Sequence, residues 1–382
     1  MEKRKKVLIL TYYFNTRDTD RAYSVLQYFK SRSYDVELIC GNYDHNSKKT
    51  VHYNTPEVKE IPVWQYNKNI SIKRILSNIK FAYDVKKRIK KETFDIAYVI
   101  SPPNITGYVN KKIFKEKGAL FVLDVFDLYP ETIPINEKLK KILFYFGLGF
   151  WAHLRNASIK KADKFIGSCN YYFTRLNIKE DEHNHIVPLC KNDSEVQEIK
   201  QIPIDELRII YLGALTGNYD FEGLVEIMIR LKNKGKQAKL FIIGDGYRRE
   251  WLLKELEHND INYEYLGRIY DDGIKKKVFE KCHFGFNGFK ENASIALSYK
   301  SMEYMSNGLA LINSCKEDTW NLVDKENIGM NYKSENITNL LESILSLSEE
   351  QLFSMKVNAL NVYGKEYSYT CYCERMDRIF LK

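Results

Sequence analysis

Short apolar runs alternate with stretches of helical spacing, and the alternation runs through the chain twice. Lys6-Val-Leu-Ile-Leu-Thr11 comes first, then Arg21 to Lys30 with Ala22, Val25, Leu26 and Phe29 on one face, then Asp35 to Cys40. An apolar run without polar alternation reads as a strand buried on both faces. Strands joined through helices cannot be hairpin partners, so the pattern demands a parallel sheet covered by helices. The rhythm continues through Asp95–Ile100, the helix Ile105 to Lys117, Leu120–Val125, Ala162–Ser168 and His185–Pro188. It pauses over a polar stretch from Cys190 to Ile204. It then restarts with Leu207–Leu212, Phe221 to Lys234, Ala238–Gly244, Arg248 to His258, Tyr263–Leu266, Asp271 to Lys281 and Phe284–Asn287. A chain of 382 residues exceeds the size at which one core keeps growing. The expected fold is therefore α/β, with two Rossmann-like doubly wound domains facing each other across a cleft. The first covers residues 1–190, a linker 191–205, the second 206–365. An amphipathic C-terminal helix over 366–382 has the option of returning to the first domain.

Composition narrows the class. Seven scattered cysteines argue for a reducing compartment without a disulfide framework. No run of 18 apolar residues exists, so no membrane span is expected. The net charge of +9 favours an anionic partner. The basic residues are spread along the chain without a compact nucleic-acid motif, so no nucleic-acid partner is expected. Two helices carry membrane-surface features. Ile70 to Lys91 is basic and amphipathic; its lysines and arginines read as a solvated face, with a membrane-facing role the alternative. Lys138 to Arg155 is apolar nearly all round and flanked by lysines; it reads as a buried or interdomain helix, with a monotopic membrane contact or a lipid-acceptor groove the alternative.

The first βα loop, Tyr12 to Asp20, contains no glycine. A Rossmann dinucleotide site needs a glycine-rich turn there, which counts against an epimerase or dehydrogenase. The polar segment with the best geometry lies in the second half. Ser298 is suited to cap a helix that runs to Asn307-Gly308. Lys300 and Glu303, three apart, share a helical face. The helix N-terminus and Lys300 would meet a diphosphate, and Glu303 would accept bonds from ribose hydroxyls. The alternative is an ordinary helix with an i,i+3 ion pair. Gly213 and Gly217 follow the first strand of this half, where small residues let backbone N–H groups approach a phosphate. Gly244-Asp245-Gly246 and Leu266-Gly267-Arg268 also follow strands, with Arg268 a candidate for lining a base pocket; plain turns are the alternative.

Tyr299-Lys300-Ser301-Met302-Glu303-Tyr304-Met305-Ser306-Asn307-Gly308 resembles the S-K-x-x-E-Y-M-A-x-G segment of family 4 glycosyltransferases of the GT-B fold. The branch most resembled builds bacterial O-antigen and capsule polysaccharides. Ser101-Pro102-Pro103 and Leu123-Asp124-Val125-Phe126-Asp127-Leu128-Tyr129-Pro130-Glu131 are similar to its S-P-P and D-V-R-D-L-W-P-E segments. Tyr211-Leu212-Gly213 and Ile242-Ile243-Gly244-Asp245-Gly246 are similar to its Y-x-G and I-G-x-G, and the order is kept.

The resemblance implies a retaining, metal-independent enzyme that needs no cofactor. Its substrate would be a nucleotide sugar, with UDP favoured, bound by the C-terminal domain. The acceptor, a growing and lipid-linked surface glycan, would go to the N-terminal domain. The protein would be cytoplasmic and reach the inner face of the membrane. Glu303 carries over as the ribose-binding glutamate, Lys300 as a diphosphate cation, and Asp127 as a polar group near the donor sugar. Some positions depart from the family pattern. Ile295 stands where a first glutamate is common, with Glu291 the nearest substitute. Ala214 occupies a usual arginine position, and Lys290 is a substitute cation. Phe126 replaces an arginine beside Asp127, and Leu309-Ala310 replaces x-Pro. These departures leave a non-catalytic, glycosyltransferase-like partner subunit as the alternative function.

Overall fold

The computed structural model describes residues 4–381 except 18–19, 46, 69–70, 134–141, 143, 194–198 and 294. The chain forms two compact units, Met1–Cys190 with Tyr372–Lys382, and Lys191–Cys371.

In the first unit, β1 (Lys6–Leu10), β2 (Asp35–Gly41), β5 (Val58–Ile61), β6 (Ile96–Ser101), β7 (Leu120–Val125), β8 (Lys164–Gly167) and β9 (Asn184–Ile186) form one sheet. Its order is β5-β2-β1-β6-β7-β8-β9, and every pair is parallel. A two-residue antiparallel pairing of β3 (Tyr43–Asp44) with β4 (Lys49–Thr50) lies outside it. All six residues of β6 are buried, which is why the run reads as continuously apolar. Helices α1 (Arg21–Ser31), α2 (Ile72–Ile89), α3 (Ile105–Glu116), α4 (Gly149–Ile159) and α5 (Asn170–Leu176) complete the unit. The helix expected from Lys138 falls partly outside the described residues; its described part is a π-helical turn, Phe144–Leu148, leading into α4.

The second unit holds β10 (Glu206–Leu212), β11 (Gln237–Ile243), β12 (Tyr263–Gly267), β13 (Phe284–Asn287), β14 (Ala310–Asn313) and β15 (Gly329–Asn331). Their order is β12-β11-β10-β13-β14-β15, again all parallel. Helices α6 (Phe221–Asn233), α7 (Arg249–His258), α8 (Asp272–Phe279), α9 (Tyr299–Ser306), α10 (Asp318–Glu326), α11 (Thr338–Leu345) and α12 (Glu349–Glu366) surround it. Both sheets have the doubly wound topology expected from the repeated rhythm, and both place their loops of interest at the carboxyl ends of the strands. The C-terminal helix α13 (Tyr369–Phe380) belongs to the first unit from Tyr372 onward. Asp377 secures it there, accepting from Tyr28 Oη at 2.9 Å and from the Arg32 guanidinium at 2.7 and 2.9 Å.

Lys356 of α12 is buried, and its ammonium donates only to the Cys282 carbonyl at 3.2 Å. Burial lowers it from the ordinary lysine value to about 8. The unfolded chain therefore holds this proton up to higher pH than the folded chain does. Stability rises with pH between about 8 and the unfolded value, and the cost of the buried charge is fully present below 8. Lys356→Met is expected to raise Tm at pH 7, with the gain shrinking as pH climbs from 8 towards 10. A pH series of thermal melts checks it.

Candidate active site

The best-developed polar site of the second unit surrounds α9. Ser298 is buried and caps the helix, its Oγ accepting from the Ser301 N–H at 3.2 Å and donating to Asn287 Oδ1 at 2.8 Å. That second bond ties the cap to the end of β13. Tyr304, fully buried on the same helix, accepts from the Leu212 N–H at 2.8 Å through its hydroxyl and so ties α9 to the end of β10. The helix N-terminus is thus fixed beside two strand ends of one sheet.

Glu303 and Lys300 do not meet. The Glu303 carboxylate is mostly buried and lies 2.8 Å from Lys191 Nζ and 3.9 Å from Lys275 Nζ. Two lysines orient it and offset its charge. A carboxylate offers about four acceptor positions, so capacity remains for hydroxyl donors. Neither lysine was legible as its partner, since one comes from the start of the unit and the other from α8.

Lys300 turns the other way. Its Nζ sits 3.3 Å from the ring centre of Tyr219, 4.6 Å from Tyr211 and 4.8 Å from Phe289. It is shut off from water and has no hydrogen-bond partner among the described residues. A cation over an aromatic ring gains roughly 0.5–2 kcal/mol, whereas the effective penalty for burying an unpaired ion is several kcal/mol. Desolvation wins, and burial holds the Lys300 amine well below the ordinary lysine range. The nearby Cys315 thiol is pushed up to about 12 by burial, so it supplies no counter-charge.

The glycine loops have a packing reason that spacing did not reveal. Gly213 and Gly244 both adopt positive φ, 135° and 144°, and a Cβ on Gly244 would lie 1.8 Å from the Gly213 carbonyl oxygen. The two loops therefore touch backbone to backbone. The Gly213 N–H donates to the Ile243 carbonyl at 2.9 Å, and the Gly217 N–H to Tyr247 Oη at 2.6 Å. Both amides expected to face a phosphate are engaged within the protein. Arg268 is largely exposed and lies 3.4 Å from Asp245. Lys290 lies 3.5 Å from Glu222, and Glu291 lies 3.7 Å from Lys316; neither contact reaches Glu303 or Lys300.

In the first unit, Asp127 follows β7 and accepts from Thr132 Oγ1 at 2.6 Å. Burial raises its carboxyl above the ordinary range, with Thr132 and the neighbouring Arg74 pulling it back. Arg74 of α2 donates to Tyr13 Oη at 2.9 Å and stacks 5.9 Å from the Tyr129 ring. Arg155, almost wholly buried, grips Glu131 bidentately at 2.6 and 2.7 Å and donates to the Tyr129 carbonyl at 3.0 Å. The segment from Asp127 to Glu131 is therefore braced by Arg155. Arg74 had been grouped with the basic face of its helix, and its tyrosine surroundings had no signal in the spacing.

Residues 192–366 match the family described as "Glycosyl transferases group 1". The second unit thus carries a glycosyl transferases group 1 domain, covering just under half of the chain. No curated protein matches it in sequence. Among solved structures, the chain is similar to sucrose-phosphate synthase from Thermosynechococcus elongatus, with a TM-score of 0.72 and 14% identity over 99% of this chain and 98% of that one. It is similar to HepE of Anabaena in complex with UDP and glucose (TM-score 0.65, 10% identity, 99% and 100% covered). It is also similar to the apo form of the lipopolysaccharide outer core galactosyltransferase WaaB (TM-score 0.64, 16% identity, 99% of both chains). At these identities the likeness establishes the GT-B type of fold.

Proposed function

We propose that this chain is a glycosyltransferase that transfers a sugar, with retention of anomeric configuration, from a nucleoside diphosphate donor to a growing, lipid-linked bacterial surface glycan. UDP is the favoured nucleotide, and neither a metal nor another cofactor is required. The observation that carries the reading is the α9 socket: a capped helix N-terminus, Lys300 and the lysine-braced Glu303, inside the segment that matches the family. HepE, a structural neighbour, was solved with UDP and glucose.

The chemical task is to release a diphosphate while positive charge builds on the sugar. Preorganised N–H groups and a cation at the diphosphate lower that barrier. The positive end of the α9 helix supplies the first, and Lys300 is assigned the second. Glu303 accepts from the ribose hydroxyls. Asp127, with its raised carboxyl, is suited to orient a sugar hydroxyl or carry a proton. A screen of nucleotide sugars for slow donor hydrolysis in EDTA tests the reading. UDP-sugar cleavage that is lost in Glu303→Ala supports it, and no cleavage of any donor contradicts it.

A membrane-bound acceptor needs an enzyme that reaches the bilayer surface. Ile72, Leu76 and Tyr83 are exposed along one stripe of α2, and Lys73, Lys87 and Lys90 flank them. Ile142, Tyr145 and Phe150 are exposed near α4. Among the described residues no helix is long and apolar enough to cross a membrane, so the reading is surface contact. The chain is expected to sediment with phosphatidylglycerol vesicles more than with phosphatidylcholine vesicles. The double variant Ile72→Glu, Leu76→Glu should lose most of that binding; equal sedimentation of both proteins would contradict the assignment.

A further inference from the structure

We infer that Lys300 is a cation made by the donor: its amine is stored uncharged in the Tyr211–Tyr219–Phe289 cage and takes up a proton when a nucleoside diphosphate arrives. The inference rests on the α9 socket reading above and adds a proton linkage to it.

Geometry carries the first half. Three rings from three different segments close around Nζ, at the end of β10, before α6 and after β13. The titratable groups facing it are the phenols of Tyr211 and Tyr219 and the thiol of Cys315. All three are neutral at physiological pH, because burial raises each one. Among the described residues no carboxylate is paired with the amine. Glu303, on the same helix, is committed to Lys191 and Lys275. Asp220, next to Tyr219, is committed to the Gly223 N–H at 3.0 Å and to the hydroxyls of Tyr332 and Ser334 at 2.9 and 2.6 Å. The cage is therefore built without a counter-ion, and an uncharged amine is the form that fits it.

The second half follows from where the stem runs. The Lys300 Cδ passes 3.3 Å from the point a Cβ on Gly213 would occupy. A glycine there leaves the stem room to turn out of the cage towards the loop after β10. A diphosphate at the start of α9 offers the negative charge that the cage lacks, so the bound state favours the ammonium. The proton comes from solvent and forms an N–H bond at Nζ; no other bond changes. UDP itself contributes little above pH 8, since the last ionisation of a terminal phosphate lies near pH 6.

Calorimetry of the full chain with UDP at pH 8, in phosphate and in Tris, counts the protons through the different ionisation heats of the buffers. The wild type is expected to take up about one proton per UDP bound. Lys300→Met is expected to bind UDP more weakly with almost no uptake. Lys300→Arg, always charged, should bind without uptake. Because methionine suits the cage, Lys300→Met should also melt higher than the wild type without nucleotide, which shows that the variant folds. UDP binding by the wild type with no proton uptake would overturn this inference and leave the socket reading standing. A chain that binds no nucleoside diphosphate would overturn both.

Discussion

Asp124→Ala is expected to destabilise the first unit by about 3–5 kcal/mol, the cost of removing one partner from a buried ion pair. Asp124 lies next to the last residue of β7 with no exposed surface, and its Oδ2 accepts from Arg21 Nε at 2.8 Å and from Tyr98 Oη at 2.6 Å. Arg21, also buried, donates from Nη1 to the Pro188 carbonyl at 2.9 Å and lies 5.3 Å from the Tyr372 ring of α13. One carboxylate therefore joins α1, β6 and β7, and its arginine reaches the segment after β9 and the C-terminal helix. Truncating it leaves a guanidinium without its counter-charge in a dry interior and strips the Tyr98 hydroxyl of its acceptor. Denaturant unfolding of the variant, read from the first unit's signal, measures the loss. A change below 1 kcal/mol would show that water or another acceptor replaces the carboxylate.

Glu303→Ala is expected to weaken UDP binding by about ten- to a hundredfold, because a hydrogen bond to a charged acceptor is worth roughly 1.5–3 kcal/mol. Donor turnover should fall at least as far. Thermal stability should change little, since Lys191 and Lys275 are each partly exposed and can rehydrate. Glu303→Gln keeps an acceptor but not the charge that orients both lysines, and should fall between the two. Titration of the three proteins with UDP, alongside melting curves, separates a lost contact from a lost fold. Equal affinity across the series would remove Glu303 from the donor site.

What was legible in the sequence is what local chemistry dictates. The strands β1, β6, β7, β10 and β11 announce themselves because strands buried on both faces must be apolar throughout. The α9 helix announces itself through Ser298, whose hydroxyl has a cap to make. What stayed hidden depends on contacts between segments far apart in the chain. No spacing rule joins Glu303 to Lys191 and Lys275, or Asp124 to Arg21. The i,i+3 relation of Lys300 and Glu303 suggested a shared ligand face; instead one tip is drawn to lysines and the other into aromatic rings. The glycines of 213–217 suggested a phosphate cradle, yet the tight contacts of Gly244 with Gly213 and of Gly246 with the Leu215 backbone are a demand of loop packing. Such contacts are set by how loops after different strands stack on one another, which periodicity does not encode.

Amide hydrogen exchange of the full chain in EDTA, with and without UDP, tests most directly whether the second unit holds the donor at α9. UDP is predicted to slow exchange in the first turn of α9, across residues 298–302, and the same slowing in Glu303→Ala should need about ten- to a hundredfold more UDP. Unchanged exchange over 298–302 in the presence of saturating UDP would contradict the placement of the donor site.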